Sequence, residues 1–318
     1  MLILLVTLLS IYMQSNKAPA KENISDSLRA WELKQKIFEY GDYKLSYRDS
    51  KNDSQVNIYA EQKEVIVLLH GYPTSSYDWH LVWESLSKDY RLIAMDMLGY
   101  GFSDKPNNIK YSISLQTDIQ QALLSKLGVN EVHLLTHDYG DNVAQELLAR
   151  INQRNVLQIK SLVLLNGGLF PDVYKATTIQ SLLRSPIGPL VSKLANGAIF
   201  GKSFNNVFGS SGKLTNNEII DHWYLVCYNN GNNINHLLTH AADDRERNRK
   251  RWLNSLLTKE VPILFINGLD DPVSGKETVE RYEELVPDPT VIKLSGVGHY
   301  PHLEVPDVVV EEFRRFVK

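Results

Sequence analysis

The chain has 318 residues, 43% of them hydrophobic and 22% charged, enough to bury one large core together with an inserted subdomain. A net charge of −3 and an isoelectric point near 6.3 leave no electrostatic footprint for nucleic acid. The single cysteine, Cys227, excludes an internal disulfide framework and leaves the redox compartment open.

Leu2 to Met13 form an apolar run too short to span a bilayer as a straight helix, which takes about 20 residues. The run suits the core of a signal peptide. Ala18-Pro19-Ala20 supplies small residues at cleavage spacing, but the positively charged start that usually precedes such a core is missing, so a retained membrane anchor is the rival reading. Asn23-Ile24-Ser25 and Asn52-Asp53-Ser54 match the glycosylation pattern. These features favour the secretory pathway or the endoplasmic reticulum membrane, with a secreted protein as the alternative. Residues 1–29 are expected to be a leader or anchor plus polar linker and to pack little against the body.

Ile37 to Tyr40 and Tyr43 to Tyr47 flank Gly41-Asp42, a hairpin signal. Strand-like runs around Val65, Arg91, Val132, Ile159, Ile263 and Thr290 then alternate with helical patterns, which specifies a mostly parallel, doubly wound α/β sheet with helices on both faces. In such sheets the ligand crevice lies beyond the carboxyl ends of the strands. After Pro171 the alternation stops and apolar residues take helical spacing, as at Ile179, Leu182 and Leu183 and again at Leu253, Leu256 and Leu257. This predicts a helical cap over residues 172–261, inserted after the sixth strand between core segments 30–171 and 262–318.

Chemistry concentrates at the strand ends. Thr136-His137-Asp138-Tyr139-Gly140 reads as a strand-to-helix elbow, a turn that usually presents a serine. An aspartate there makes an alkyl ester by displacement at carbon, whereas a serine makes an acyl enzyme. The bland alternative is that Asp138 caps the following helix. His70-Gly71-Tyr72-Pro73 brings the N–H of Tyr72 toward that elbow, where with the N–H of Tyr139 it would form an oxyanion hole. Gly268-Leu269-Asp270-Asp271-Pro272 and Gly298-His299-Tyr300-Pro301 follow the last two strands. Nucleophile, acid and histidine thus come in the chain order of an α/β-hydrolase triad. Asp271 is assigned as the acid and His299 as the base, with Asp270 the competitor for the acid.

Leu69 to Trp79, Gly101 to Pro106, His137 to Asp141 with Val143 to Leu147, and Asn166 to Pro171 resemble the mesoderm-specific transcript protein group, among the epoxide-hydrolase-like and haloalkane-dehalogenase-like α/β-hydrolases. The resemblance runs from about Phe38 to the C-terminus, densest through Pro171 and returning at the acid and histidine. It implies an α/β-hydrolase fold with a helical cap and an Asp-His-Asp triad. Ring strain or a good leaving group supplies the driving force in such chemistry, so no metal or organic cofactor is expected. Related epoxide hydrolases protonate the leaving oxygen with cap tyrosines, for which Tyr224 and Tyr228 are candidates at helical i, i+4 spacing. Trp223 beside them is a further substrate-binding candidate. Related dehalogenases carry Trp after the nucleophile and often Asn after His-Gly, where this chain has Tyr139 and Tyr72, so the resemblance leans toward epoxide opening.

The remaining cap aromatics, Tyr174, Phe200, Phe204 and Phe208, either line a pocket or form the cap's own core. The basic run Arg245, Arg247, Arg249, Lys250 and Arg251 reads as a solvated helix face. The expected partners are a small apolar substrate and water, with membrane association through the N-terminus. Ordinary ester hydrolysis is the enzymatic rival, yet the chain has no Gly-x-Ser-x-Gly elbow. A non-catalytic binding module is the other rival, and the complete triad argues against it.

Overall fold

The computed structural model describes residues 18–53, 63–151, 157–258 and 260–318. The apolar run Leu2 to Met13 lies outside the described residues, as do Ser54 and the Asn52 side chain of the second glycosylation pattern. Among the described residues no helix is long and apolar enough to cross a membrane.

The chain joins the body earlier than expected. Ser25 caps helix α1 (Asp26–Glu32), its hydroxyl accepting from the Leu28 N–H. Leu28 and Trp31, one turn apart, are buried in a cluster with Ile24, Tyr77 and Trp83. Trp31 meets Tyr77 and Trp83 edge-on, with ring centroids 5.8 and 5.0 Å apart. From Ile24 onward the segment is therefore not a loose polar linker, because a fully buried large apolar side chain contributes about 1.5–3 kcal/mol and Ile24 and Leu28 are both buried, whereas residues 18–23 stay at the surface as expected.

The hairpin is β1 (Lys36–Tyr40) and β2 (Tyr43–Asp49), antiparallel about Gly41, which takes φ +58°. β3 (Val65–Leu69), α2 (His80–Ser87), β4 (Arg91–Met95), α3 (Ile113–Lys126), β5 (Glu131–His137), α4 (Tyr139–Arg150) and β6 (Gln158–Leu165) then alternate strand with helix. The helices α5 (Thr178–Arg184), α6 (Gly188–Leu194), α7 (Gly197–Asn205), α8 (Asn216–Cys227), α9 (Asn235–Leu238) and α10 (Ala242–Leu257) separate β6 from β7 (Ile263–Gly268). α11 (Lys276–Leu285), β8 (Thr290–Leu294), α12 (Pro301–Glu304) and α13 (Pro306–Val317) follow.

The strands form one sheet in the order β1-β2-β4-β3-β5-β6-β7-β8. β2 runs antiparallel to both neighbours, and the strands from β4 to β8 are parallel. Successive residues of a strand point to opposite faces, so β3 sends Val67 and Leu69 to one core and Ile66 and Leu68 to the other. Helices cover both faces, which is why the central strands read as unbroken apolar runs. β3, β5, β6 and β7 are adjacent and end at Leu69, His137, Leu165 and Gly268, so the loops that follow them share one edge.

Candidate active site

Asp138 stands between β5 and α4 with φ +48° and ψ −108°, a conformation that costs a non-glycine residue about 1–3 kcal/mol. Its neighbours make room for the turn. A Cβ on Gly140 would lie 2.3 Å from the Leu69 carbonyl oxygen, and one on Gly71 would lie 3.0 Å from the Asp138 Cβ. Asp138 occupies the N-cap position of α4 but its side chain caps nothing. It accepts instead from the Tyr72 N–H, at 3.0 Å from Oδ2, so the capping reading fails. Tyr139 opens α4, and its N–H has no acceptor within the helix. His70 pins the facing turn, accepting from the Met97 N–H at 3.0 Å while its other ring nitrogen donates to the Gly71 carbonyl at 2.8 Å.

His299 joins the two carboxylates. Its Nδ1 lies 2.7 Å from Asp271 Oδ2, and its Nε2 lies 3.9 Å from Asp138 Oδ1. Asp271 also accepts from Asn166 Nδ2 at 2.8 Å, the Ser274 hydroxyl at 2.9 Å and the Val273 N–H at 2.7 Å. Asp270 is exposed and among the described residues accepts from the Gly296 N–H, at 3.3 Å, so Asp271 is the carboxylate that meets the histidine. Burial alone would lower the His299 pKa, but the adjacent Asp271, with Asp138 and Glu304, raises it to about 9. Burial likewise pushes Asp271 up, and the His299 charge with the donated hydrogen bonds brings it below its ordinary value.

Two supports escaped the sequence reading. Asn166 holds φ +45° at the end of β6, where its amide exchanges hydrogen bonds with the Gly268 backbone and donates to Asp271. Glu304 accepts from the backbone N–H groups of Gly298, Tyr300 and Gly209, tying the histidine loop to the end of α7. Asn166 opens the Asn166 to Pro171 segment that carries the resemblance, but the resemblance gives it no role, and Glu304 lies outside the segments that carry it.

Behind the elbow is a second polar group. His137 donates from Nε2 to the His299 carbonyl at 2.7 Å. Asp78, His137 and His302 bring potential ligand atoms within 4.8 Å of one another, and they are the described residues that could hold a metal. Among the described residues, Asp78 Oδ1, His137 Nδ1 and both ring nitrogens of His302 and the nearby His222 have no hydrogen-bond partner. Burial drives the pKa of His137 and His302 well below the ordinary value, takes His222 to about 3, and lifts Asp78 well above the carboxylate range.

Two chambers meet the triad. An apolar one of about 790 Å³, mouth included, is lined by Leu183, Phe200, Phe204, Trp223, Tyr300 and His299. A smaller polar recess of about 400 Å³ is lined by Asp138, Tyr139, Tyr174, Gln180, Thr239 and Arg245, and Tyr72 borders both.

Of the expected substrate-binding residues, Trp223 faces the apolar chamber, whereas Tyr224 and Tyr228 line neither space. Tyr224 packs on the core cluster of Tyr77 and Leu225, and Tyr228 meets Phe102 at 5.1 Å between centroids. One residue along a helix is a turn of about 100°, so with Trp223 facing in, Tyr224 and its i+4 partner face elsewhere. The phenols that do share the recess with Asp138 belong to Tyr72, Tyr139 and Tyr174. Burial raises the pKa of each, which keeps them protonated as donors. Phe208 stacks on Tyr300 instead of lining either space. In the basic run Arg247, Arg249 and Lys250 are exposed as expected, but Arg245 is buried.

Residues 64–306 match the family model described as the alpha/beta hydrolase fold, and the chain belongs to that family. Within it the chain falls with the mesoderm-specific transcript proteins, the resemblance its motifs carry. It is 39% identical to the mouse mesoderm-specific transcript protein over 303 residues, covering 92% of this chain and 89% of that one. The cis-3-alkyl-4-alkyloxetan-2-one decarboxylase of Shewanella oneidensis is 28% identical over 282 residues, 84% of this chain and 86% of that one. A solved loop variant of the haloalkane dehalogenase DbeA from Bradyrhizobium elkanii superposes with a TM-score of 0.73 and 19% identity, covering 89% of this chain and 95% of that one. At that identity the likeness is one of fold.

Proposed function

We propose that the chain hydrolyses an epoxide or comparable strained carbon–oxygen ring through an alkyl ester on Asp138. The observation that carries this reading is the carboxylate itself: it stands strained at the elbow, caps nothing, and faces the Tyr72 N–H on one oxygen and His299 on the other. In the first step an Asp138 oxygen attacks a ring carbon, the carbon–oxygen bond breaks toward oxygen, and a phenol of the recess, Tyr72 or Tyr174, protonates the leaving alkoxide. In the second step neutral His299 takes a proton from water, and the resulting hydroxide adds to the Asp138 carboxyl carbon. The Tyr72 and Tyr139 N–H groups hold the oxyanion, each worth on the order of 3 kcal/mol. Collapse expels the second oxygen of the diol as an alkoxide that takes the proton from His299, the carboxyl proton passes to the phenolate, and Asp138, His299 and the tyrosine are restored.

The electrostatics fit this sequence of steps. With Asp138 ionised, His299 is held at about 9 and is mostly protonated near neutral pH. Alkylation removes the Asp138 charge, one of the causes of that elevation after the larger effect of Asp271, so ester formation lowers the His299 pKa and favours its neutral, basic form. The oxetanone relative also processes a strained oxygen ring, which makes β-lactones a second class to test.

In His299→Gln, attack can proceed while water activation is lost, so mass spectrometry after exposure to epoxides, β-lactones, haloalkanes and plain esters should find an adduct on the Asp138 peptide. Asp138→Asn should give no adduct at first. A single wild-type turnover in heavy-oxygen water should label Asp138 and leave the first product's new oxygen unlabelled. Label appearing directly in that product would mean that water attacks the substrate and Asp138 only positions it. The N-terminal apolar run supports entry into the secretory pathway, and Asn23 is exposed. A mass shift on glycosidase treatment that disappears in Asn23→Gln checks that reading.

A further inference from the structure

Arg245 is 9% exposed, and among the described residues its Nη1 has no hydrogen-bond partner. The guanidinium lies 4.0 Å from the Tyr174 ring centroid and fits because residue 168 is glycine: a Cβ there would stand 2.1 Å from Nη1. The neighbouring cations are neutralised, Arg247 by Asp244 and Arg184 by Asp243, each at 2.6 Å. Among the described residues Arg245 has no such ion pair, and it walls the recess together with Asp138, Gln180 and Thr239. A desolvated guanidinium without a counter-charge is costly, and its planar fork suits a carboxylate held by two parallel hydrogen bonds. Asp138 already uses its oxygens toward Tyr72 and His299.

We propose that this recess is an anion subsite and that the substrate is an amphiphile, with a carboxylate on Arg245, an alkyl chain in the apolar chamber, and the electrophilic carbon between them at Asp138. A carboxylate fits better than a phosphate dianion, which would set two negative charges against one arginine beside the Asp138 carboxylate. The location of the electrophilic carbon rests on the reading of Asp138 as nucleophile. The subsite itself is measured by binding alone.

Decanoate and decan-1-ol are unreactive probes of equal chain length, and calorimetry on the full chain compares them. Decanoate should bind the wild type about tenfold or more tightly than the alcohol. Arg245→Gln should abolish that preference and leave decanol affinity unchanged, which also reports an intact chamber. Arg245→Lys should restore part of the preference, since it keeps the charge and loses the fork. Gly168→Ala should weaken decanoate and spare decanol by displacing the guanidinium. A preference that survives Arg245→Gln, or an equal loss for both probes, overturns the subsite. If decanoate binds as expected but neither ω-carboxy nor neutral epoxides leave an adduct on His299→Gln, the nucleophile reading fails and the subsite stands. If only neutral epoxides leave an adduct, the subsite fails and the nucleophile stands.

Discussion

Asp271 and Asp78 are both buried carboxyls beside histidines, one in front of the elbow and one behind it, yet their pKa values move in opposite directions. Asp271 accepts from Asn166, Ser274, Val273 and His299 and stays below its ordinary value. Asp78 takes the Thr74 hydroxyl on one oxygen, has no donor on the other, and rises well above the carboxylate range. Its neighbour His222 lies 3.7 Å away and is itself pushed down to about 3, while His299 is pushed up to about 9. Depth is therefore not what decides charge. Donors and counter-charges are, and the front wall stores an ion pair while the back wall stays neutral.

Four measurements sharpen or break that contrast. The largest effect is expected from Asp271→Asn, which keeps the shape but removes the charge that orients His299. Turnover should fall by about 10⁴-fold in steady-state assay. Asn166→Ala removes one donor to Asp271 and should cost about 1–3 kcal/mol, roughly fivefold to 160-fold in rate. Its stability is checked alongside by denaturant unfolding.

The third measurement uses acid. A histidine whose pKa is lowered on folding contributes stability that is present above its unfolded value and lost as pH falls, so His222 acts between about 6.5 and about 3. His299, raised on folding, contributes stability that is complete below about 6.5 and lost as pH rises through about 9. His222→Gln should therefore flatten the acid side of the stability profile by about one proton, or about 1.4 kcal/mol per pH unit, and leave the alkaline side unchanged. The smallest effect belongs to Asp78→Asn. Because Asp78 is held neutral, a neutral isostere should change stability at pH 7 by less than about 1 kcal/mol, within the range of mild substitutions. A large loss would show that Asp78 is ionised and that the back wall carries charge.

Much of the front wall was legible because it is local. Strand runs, the Thr136 to Gly140 elbow and the Gly268 to Pro272 turn announce themselves in a few consecutive residues, and chain order assembles them. What the sequence hid depends on direction or on distant partners. The i, i+4 spacing of Tyr224 and Tyr228 says that they share a face, and nothing in it says which face meets the chamber. Arg245 carries the composition of a solvated run, and only the glycine at 168 and the Tyr174 ring turn it inward. The helix of Asp26–Glu32 is short, and its anchors Tyr77, Trp83 and Asp221 lie far along the chain. His222 and His302 form their group across 80 residues of sequence, so no periodicity marks it.

Ser25 does more than cap α1. Its N–H donates to Asp221 Oδ1 at 2.8 Å and its hydroxyl donates to the other oxygen, while the Tyr77 hydroxyl donates to that same oxygen at 3.3 Å. Asp221 sits on α8, two residues before Trp223, so the roof of the apolar chamber is latched to the cap of α1. Trimming the protein between Ala20 and Ser25 keeps the Ser25 bonds, whereas a cut just beyond Ser25 removes both and leaves Asp221 with the Tyr77 hydroxyl. The shape of the apolar chamber is thus tied to a segment that lines neither chamber.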